Sequence, residues 1–443
     1  MTFLRYPAYK DSGVAWLGEI PSQWEIKPIK HVVTCNDEVL GESTPPNTEL
    51  RYIEISDVSE TQGVTNVQSI IFEDAPSRAR RITQTGDIII STVRTYLKAI
   101  AKIDYSLEGV IVSTGFAVLR PQNGVDVGFL SHAMRAPHFL DMVVAHSVGI
   151  SYPAINTSDL IGFKLPFPPL PEQHAIAAFL DAETARIDTL VAKQVSLIAT
   201  LQEKRRALIS HVVTKGLDPA APMKDSGVLW LGEVPKHWEV KAIKWLSPVQ
   251  RGASPRPIDD PKYFDDEGEY AWVRIADVTA AEDGYLRITT QRLSPLGSSL
   301  SVKLDPGALF LSIAGSVGKP CISCIKACIH DGFVYFPHLR ENNKFLFYIF
   351  EAGTAFQGLG KLGTQLNLNT DTVGSIRIGV PPKVEQDAIV AFIERESDRV
   401  DTLITKSQEM IAVLREHRTA LVAAAVTGQI DVREPSRESG RIK

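Results

Sequence analysis

Two groups of basic residues carry the chemistry this sequence can do. In the first half, the run PSRARRITQTGDIIISTVRTYLKAIAK places Arg78, Arg80, Arg81, Arg94, Lys98 and Lys102 within one turn-strand-turn passage. In the second, QRGASPRPIDDPKYF offers Arg251, Ser254, Arg256 and Lys262 in a Gly/Pro-rich loop, followed by Arg274 and Lys319. A guanidinium set on a loop by a β scaffold pairs with the acceptor edge of guanine, while lysines and backbone amides hold phosphates. Taken singly, each of these residues reads as a solvated surface charge. As groups they read as DNA contacts.

Other chemistry is thin. The sequence holds no phosphate-cradling loop, dinucleotide fingerprint or HExxH helix, and no Gly-x-Ser-x-Gly elbow. The glycine turn and Asn/Asp-Pro-Pro-aromatic site of a nucleic-acid methyltransferase are missing too, since the Pro-Pro pairs at Pro168 and Pro381 are followed by Leu and Lys. No catalysis is expected of this chain by itself. Cys321, Cys324 and Cys328 with His330 are of zinc-ligand type, but their run KPCISCIKACIHDGFVYF reads as strand and aligns with a first-half segment that has no cysteine. Core and strand cysteines are the expectation, and metal is not. A formal charge of −5 argues against an all-over basic coat, though not against local basic faces. Apolar runs fall far short of the ~18 residues that cross a bilayer, and no signal peptide opens the sequence, so a cytoplasmic protein is expected.

The elements that must position these residues come twice. KDSGVAWLGEIPSQWEIKPIK (Lys10 to Lys30) returns as KDSGVLWLGEVPKHWEVKAIK (Lys224 to Lys244), and PPLPEQHAIAAFLDAETARIDTL (Pro168 to Leu190) returns as PPKVEQDAIVAFIERESDRVDTL (Pro381 to Leu403). Two markers at nearly one offset mean that the whole half-chain of this 443-residue protein is repeated. Each half has an aromatic lead, short β-branched strands, a Pro-rich hinge and one long helix. The strands expected are Arg51 to Val58, Gly86 to Val93 and Gly109 to Leu119, matched by Tyr270 to Val278, Gly307 to Gly315 and Ile329 to Phe336. Short helices are expected between the last strand and the hinge.

From Glu172 a coiled-coil seam runs through Ile176, Leu180, Glu183, Ile187, Leu190, Gln194, Leu197, Leu201, Lys204 and Leu208. The copy reads Ile389, Ile393, Glu396, Val400, Leu403, Ser407, Met410, Leu414, His417 and Leu421. About forty residues at ~1.5 Å each make a helix roughly 60 Å long. Polar members recur at the same rungs, and antiparallel pairing would bring Glu183 and Glu396 towards His417 and Lys204.

In these motifs the chain resembles the specificity subunits of type I restriction-modification systems, over essentially its full length. The lead KDSGVAWLGEIPSQWE with its copy, the strand-turn GDIIIS, and the hinge-helix PPLPEQHAIAAFLD with its copy PPKVEQDAIVAFIE carry the likeness. So do the helix ends LQEKRRALISHVVTKGLD and LREHRTALVAAAVTGQID, although Val213-Thr214-Lys215-Gly216 departs from the form Val426-Thr427-Gly428. The resemblance implies an α+β fold: two β-rich α/β target-recognition domains separated by two long antiparallel coiled-coil helices, in a pseudo-two-fold repeat. Boundaries follow at 1–167, 168–216, 217–380, 381–430 and a tail 431–443. Each recognition domain would read one half of a bipartite, asymmetric site on double-stranded DNA, the half-sites about one turn or 34 Å apart on one face. The helices would act as spacer and dock two methyltransferase subunits that use S-adenosylmethionine to methylate adenine. Endonuclease/translocase subunits using ATP and Mg2+ would join them, with no cofactor on this chain and no membrane. The reading from another class is a non-catalytic coiled-coil scaffold presenting two β-rich domains to protein partners.

Overall fold

Each Pro-Pro hinge starts a helix because proline fits the first turn and cannot extend a preceding helix. The helices that follow are Leu170–Lys215 and Lys383–Val426. The computed structural model describes residues 4–281, 283–357, 359 and 368–433. Among them no helix is long and apolar enough to cross a membrane. The chain divides into two compact units, one built from the residues up to Gln194 with those from Glu409 onward, the other from Val195–Gln408. Each long helix is therefore shared between the units.

In the first unit the lead forms a hairpin, Tyr9–Asp11 against Glu19–Pro21, and the chain then buries Trp24 completely. Strand Glu25–Pro28 pairs antiparallel with Lys164–Phe167, which leads straight into the hinge. One antiparallel sheet has the order Ile100–Lys102, Ile88–Ser91, Phe116–Pro121, Val33–Cys35. A second has the order Gln68–Ile71, Glu49–Ile53, Ile111–Ser113, Ala79–Ile82, with its central pair parallel. Helices Val127–Arg135 and Pro137–Ala145 close the core. The second unit repeats this plan with sheets of five and four strands, the lead hairpin Met223–Asp225 with Glu233–Pro235, and helix Asn343–Glu351.

The expected strand Gly109 to Leu119 is two strands in two sheets. Ile111–Ser113 and Phe116–Pro121 part at Gly115, where a Cβ would come within 2.7 Å of Ile55 Cδ1. The second unit parts likewise between Ala327–Ile329 and Phe333–Tyr335. The expected strands Arg51 to Val58 and Tyr270 to Val278 also turn early, into helical turns Ile55–Asp57 and Ile275–Ala280.

Within each unit the start of one long helix packs on the end of the other, so the pairing is antiparallel. Ile176, Leu180 and Ile187 share a core with Leu421, Val422 and Ala425, and Ile209 and Val212 share one with Ile389 and Ile393. The seam differs from expectation in its second rung. Ile187, Gln194, Leu201 and Leu208 do face inward or lie half-buried, as do Val400, Ser407, Leu414 and Leu421. Leu190, Leu197, Leu403 and Met410 are exposed, and so are Lys204 and His417. Their places are taken by the next residues, Val191, Ile198 and Arg205 in one helix and Ile404, Ile411 and Arg418 in the other. Adjacent apolar pairs such as Leu190-Val191 and Leu197-Ile198 satisfy a rung at either three or four residues, and the pattern does not distinguish them. The polar rungs shift accordingly. Arg205 meets Asp401 at 2.8 Å and Arg418 meets Asp188 at 3.3 Å, at equivalent places in the two units. Glu183 and Glu396 instead pair along their own helices with Arg186 and Arg399.

Tyr9 donates to the Gly428 carbonyl at 3.0 Å and Leu4 bridges Asp431, so the last turn of the second long helix lies against the first lead. In the second unit the same junction is continuous chain, from Lys215 through Asp218 to Met223.

Ile187→Ala should cost about 2–5 kcal/mol in urea unfolding, and Leu190→Ser no more than about 0.5 kcal/mol. Equal losses would contradict the rung assignment. Trp16 stacks on His138 at 4.6 Å, and burial pushes the imidazole down to about 4 against the opposing pull of Asp141. Because the folded value lies below the unfolded ~6.5, this stabilisation is complete above that pH and is lost on acidification towards 4. His138→Phe, which keeps an aromatic partner for Trp16, should flatten the melting temperature profile over that window.

Candidate nucleic-acid interface

The strand break at Gly115 creates a rim where loops of both sheets meet. Thr114 N donates to the Arg78 carbonyl at 2.7 Å, and Thr92 N donates to the Gly115 carbonyl at 2.8 Å. Arg78 and the turn from Thr92 to Lys98 are thereby brought to one edge. The Arg78 guanidinium pairs with Glu54, the residue that opens the turn after strand Glu49–Ile53. Arg94 has left-handed backbone (φ 52) and no carboxylate partner among the described residues; its guanidinium lies 5.0 Å from the Tyr152 ring. A bulky residue held at positive φ is costly and points to function when the surrounding structure enforces it.

The rest of the first cluster does not join them. Arg80 lies over Phe72 at 5.1 Å, on an edge strand with Arg81, whose partner is Val39. Lys98 pairs with Asp141 at 2.7 Å. Lys102 lines a cleft with Arg135, His132 and Asp181, beside the long helix. A single turn-strand-turn passage points its side chains to several faces, so proximity in sequence overstated the cluster.

The second unit builds the equivalent rim from different parts. The turn between Ala327–Ile329 and Phe333–Tyr335 carries Asp331, and the preceding loop wraps it. Arg251 Nε donates to the Asp331 carbonyl, Ser254 Oγ to the carboxylate at 3.1 Å, and Arg256 meets the carboxylate at 2.8 Å. Gly252 makes this possible, since any Cβ there would sit 2.2 Å from the His330 carbonyl. Tyr263 OH fixes the loop by donating to the Arg256 carbonyl at 2.9 Å. Burial works against ionisation of Asp331, but Ser254, Arg256 and Arg251 more than offset it and hold the carboxyl below its usual range. Arg274 occupies the position after Tyr270–Val273, where the first unit has Glu54. Arg251 also lines an open pocket with Ile313, Ala314, Leu368, Asn369 and Thr370. Lys262 pairs with Asp260, and Lys319 donates to the Thr279 carbonyl at 3.0 Å, so neither is among the groups that bond to Asp331.

The cysteines go to separate environments. Cys321 and Cys328 are buried in two different clusters and Cys324 is exposed. Burial pushes the Cys321 thiol up to about 12 and that of Cys328 to about 11. Among the described residues no group of three or more His, Cys, Asp or Glu could hold a metal ion. The sequence reading missed Glu54, Asp331 and Tyr152. The first two are acids that orient basic residues across the turn, and nothing local marks them. Tyr152 had a faint signal, an aromatic beside proline in a stretch where the halves diverge.

The pattern of the family described as type I restriction modification DNA specificity domain matches residues 21–197 and again 235–412. The chain belongs to this family. A sequence assigned as the MjaX type I restriction enzyme specificity subunit of Methanocaldococcus jannaschii is 25% identical over 438 residues, covering 94% of this chain and 96% of its own. The EcoKI specificity subunit of Escherichia coli is 22% identical over 438 residues, covering 93% and 90%. Among solved structures, a chain from work on complex assembly and conformational transition of the type I R-M system superposes with a TM-score of 0.75 at 23% identity, covering 92% of this chain and 98% of that one. The HsdS subunit of Thermoanaerobacter tengcongensis gives 0.56 at 24% identity, covering 93% and 98%. Both structures share this fold.

The two specificity domains thus keep one frame and differ at the rim: Glu54, Arg78 and Arg94 in one, Arg251, Ser254, Arg256, Arg274 and Asp331 in the other. In the second domain the carboxylate organises the loop. Arg256→Gln should raise the Asp331 pKa towards that of an ordinary aspartate, as read by carbon-13 NMR of the carboxyl. An unchanged titration would mean that the ion pair does not orient this loop.

Proposed function

We propose that the chain is the DNA sequence-specificity subunit of a type I restriction-modification complex, each unit reading one half of a bipartite, asymmetric site. The observation that carries this reading is the double match to one specificity-domain family with unlike rims on like frames. Two identical readers would call for a symmetric site. Readers with different charged groups at equivalent positions call for an asymmetric one.

In this reading the chain performs no catalytic step. Two methyltransferase subunits dock on it and methylate adenine from S-adenosylmethionine, and endonuclease/translocase subunits with ATP and Mg2+ complete the complex in the cytoplasm. Leu190, Leu197, Leu403 and Met410, apolar but exposed on the long helices, supply surface for those partners. Arg78, Arg94, Arg251, Ser254, Arg256 and Arg274 are the residues assigned to DNA at the rims. Arg80, Arg81, Lys98, Lys262 and Lys319 do not bond to the Glu54 or Asp331 turns and are assigned to phosphate contacts.

The test is to sequence methylated adenines in a host carrying this subunit and its methyltransferase. A single bipartite, asymmetric motif is expected. A matched seven-residue insertion near the middle of both long helices, which preserves the seam, should lengthen the spacer in that motif and leave both half-sites as they were. A protein scaffold without DNA function would give no motif, and an unchanged spacer would remove the helices' measuring role.

A further inference from the structure

The loop Ser147 to Pro153 is fixed at its base and bare at its tip. Val148 and Val93 both bridge Ala154, Thr95 Oγ1 donates to Ser147 Oγ at 2.7 Å, and Ser147 Oγ in turn donates to the Val143 carbonyl at 2.7 Å. Ile155 N donates to the Thr92 carbonyl at 2.9 Å, which seats the loop on the Gly115 rim. Between these anchors Val148 is 82% exposed, Ile150 fully exposed and Tyr152 65% exposed. Gly149, at φ +119, gives the turn a conformation that other residues rarely adopt. Apolar side chains gathered this exposed on an anchored loop, with only Arg94 against the Tyr152 ring, call for an occupant.

The charge around the tip selects that occupant. Lys98 is compensated by Asp141, but Arg94 has no carboxylate partner among the described residues and is held against the Tyr152 ring. The tip therefore presents two or three apolar groups beside one uncompensated cation. Base edges and thymine methyls bordered by phosphates have the complementary chemistry, and apolar side chains enter DNA grooves or wedge between base steps.

We propose that Ile150 and Tyr152, with Arg94, form a base-contacting finger that sets part of the specificity of the first half-site. This rests on the reading of the chain as a DNA-specificity subunit. Ile150 supplies apolar contact in the groove. Tyr152 contributes its face and holds the Arg94 guanidinium where it reaches the bordering phosphate or base.

The experiment uses the complete complex with its methyltransferase subunits. Ile150→Ser, Tyr152→Ala and Tyr152→Phe are compared with wild type by size-exclusion assembly and by methylated-adenine sequencing. Ile150→Ser and Tyr152→Ala should assemble normally. They should lose about tenfold in methylation at wild-type sites, with degenerate bases in the first half-site and an intact second half-site. Tyr152→Phe, which keeps the ring under Arg94, should retain the wild-type motif. The wild-type motif at wild-type rate in all three variants would overturn the proposal. An even loss without degeneracy would make the loop a phosphate anchor, and failed assembly would make it a protein-binding surface; either also overturns it. Failure of the underlying reading looks different, because the wild-type complex itself would then show no bipartite motif.

Discussion

Each unit depends on one carboxylate in the first turn of a long helix, buried in the first unit and half-buried in the second. Glu172 accepts from the Trp24 indole at 2.9 Å, and Glu385 accepts from Trp238 at 3.0 Å. The neighbouring glutamine completes the joint. Gln173 accepts from Asp126 N, at the start of helix Val127–Arg135, and donates to the Pro168 carbonyl; Gln386 does the same with Asn342 N and Pro381. Lead, domain helix and hinge are thus tied to one point on the long helix by groups wholly or partly withdrawn from water, which need these partners. The helix dipole favours the charge there. A nearby cation or imidazole helps as well: Arg433 lies 4.0 Å from Glu172, and His237 is 2.7 Å from Glu385.

With the frame pinned there, the far edge of each unit is free to vary. The rims at Gly115 and Asp331 are made of turns and loops that lie outside the clusters joining lead, hinge and long helix. This division is what a protein needs if it is to change what it reads while keeping what it docks to.

The lead, hinge and helix were legible because duplication repeats them and their determinants are local: proline before a helix, glutamate in its first turn, tryptophan in the lead. The inner rung of the helices was not, because Leu190-Val191 and Leu197-Ile198 each offer two adjacent apolar residues and only packing chooses between them. Nor was the break in Gly109 to Leu119. It follows from the contact of Gly115 with Ile55 and Val93, which come from distant segments. The basic clusters divide by placement. Arg78, Arg94, Arg251 and Arg256 do come to the rims, whereas Lys98, Lys262 and Lys319 are taken up by Asp141, Asp260 and the Thr279 carbonyl.

The division of the chain also orders its folding in time. The second unit is one contiguous stretch, Val195–Gln408, and can close as soon as that stretch has left the ribosome. The first unit includes everything up to Gln194 but also needs the segment after Glu409, including Leu421, Val422 and Ala425 against Ile176 and Leu180. During synthesis its half of the first long helix waits with an apolar face uncovered for more than two hundred residues. That interval is when a chaperone, or a partner subunit binding early, has the most to protect.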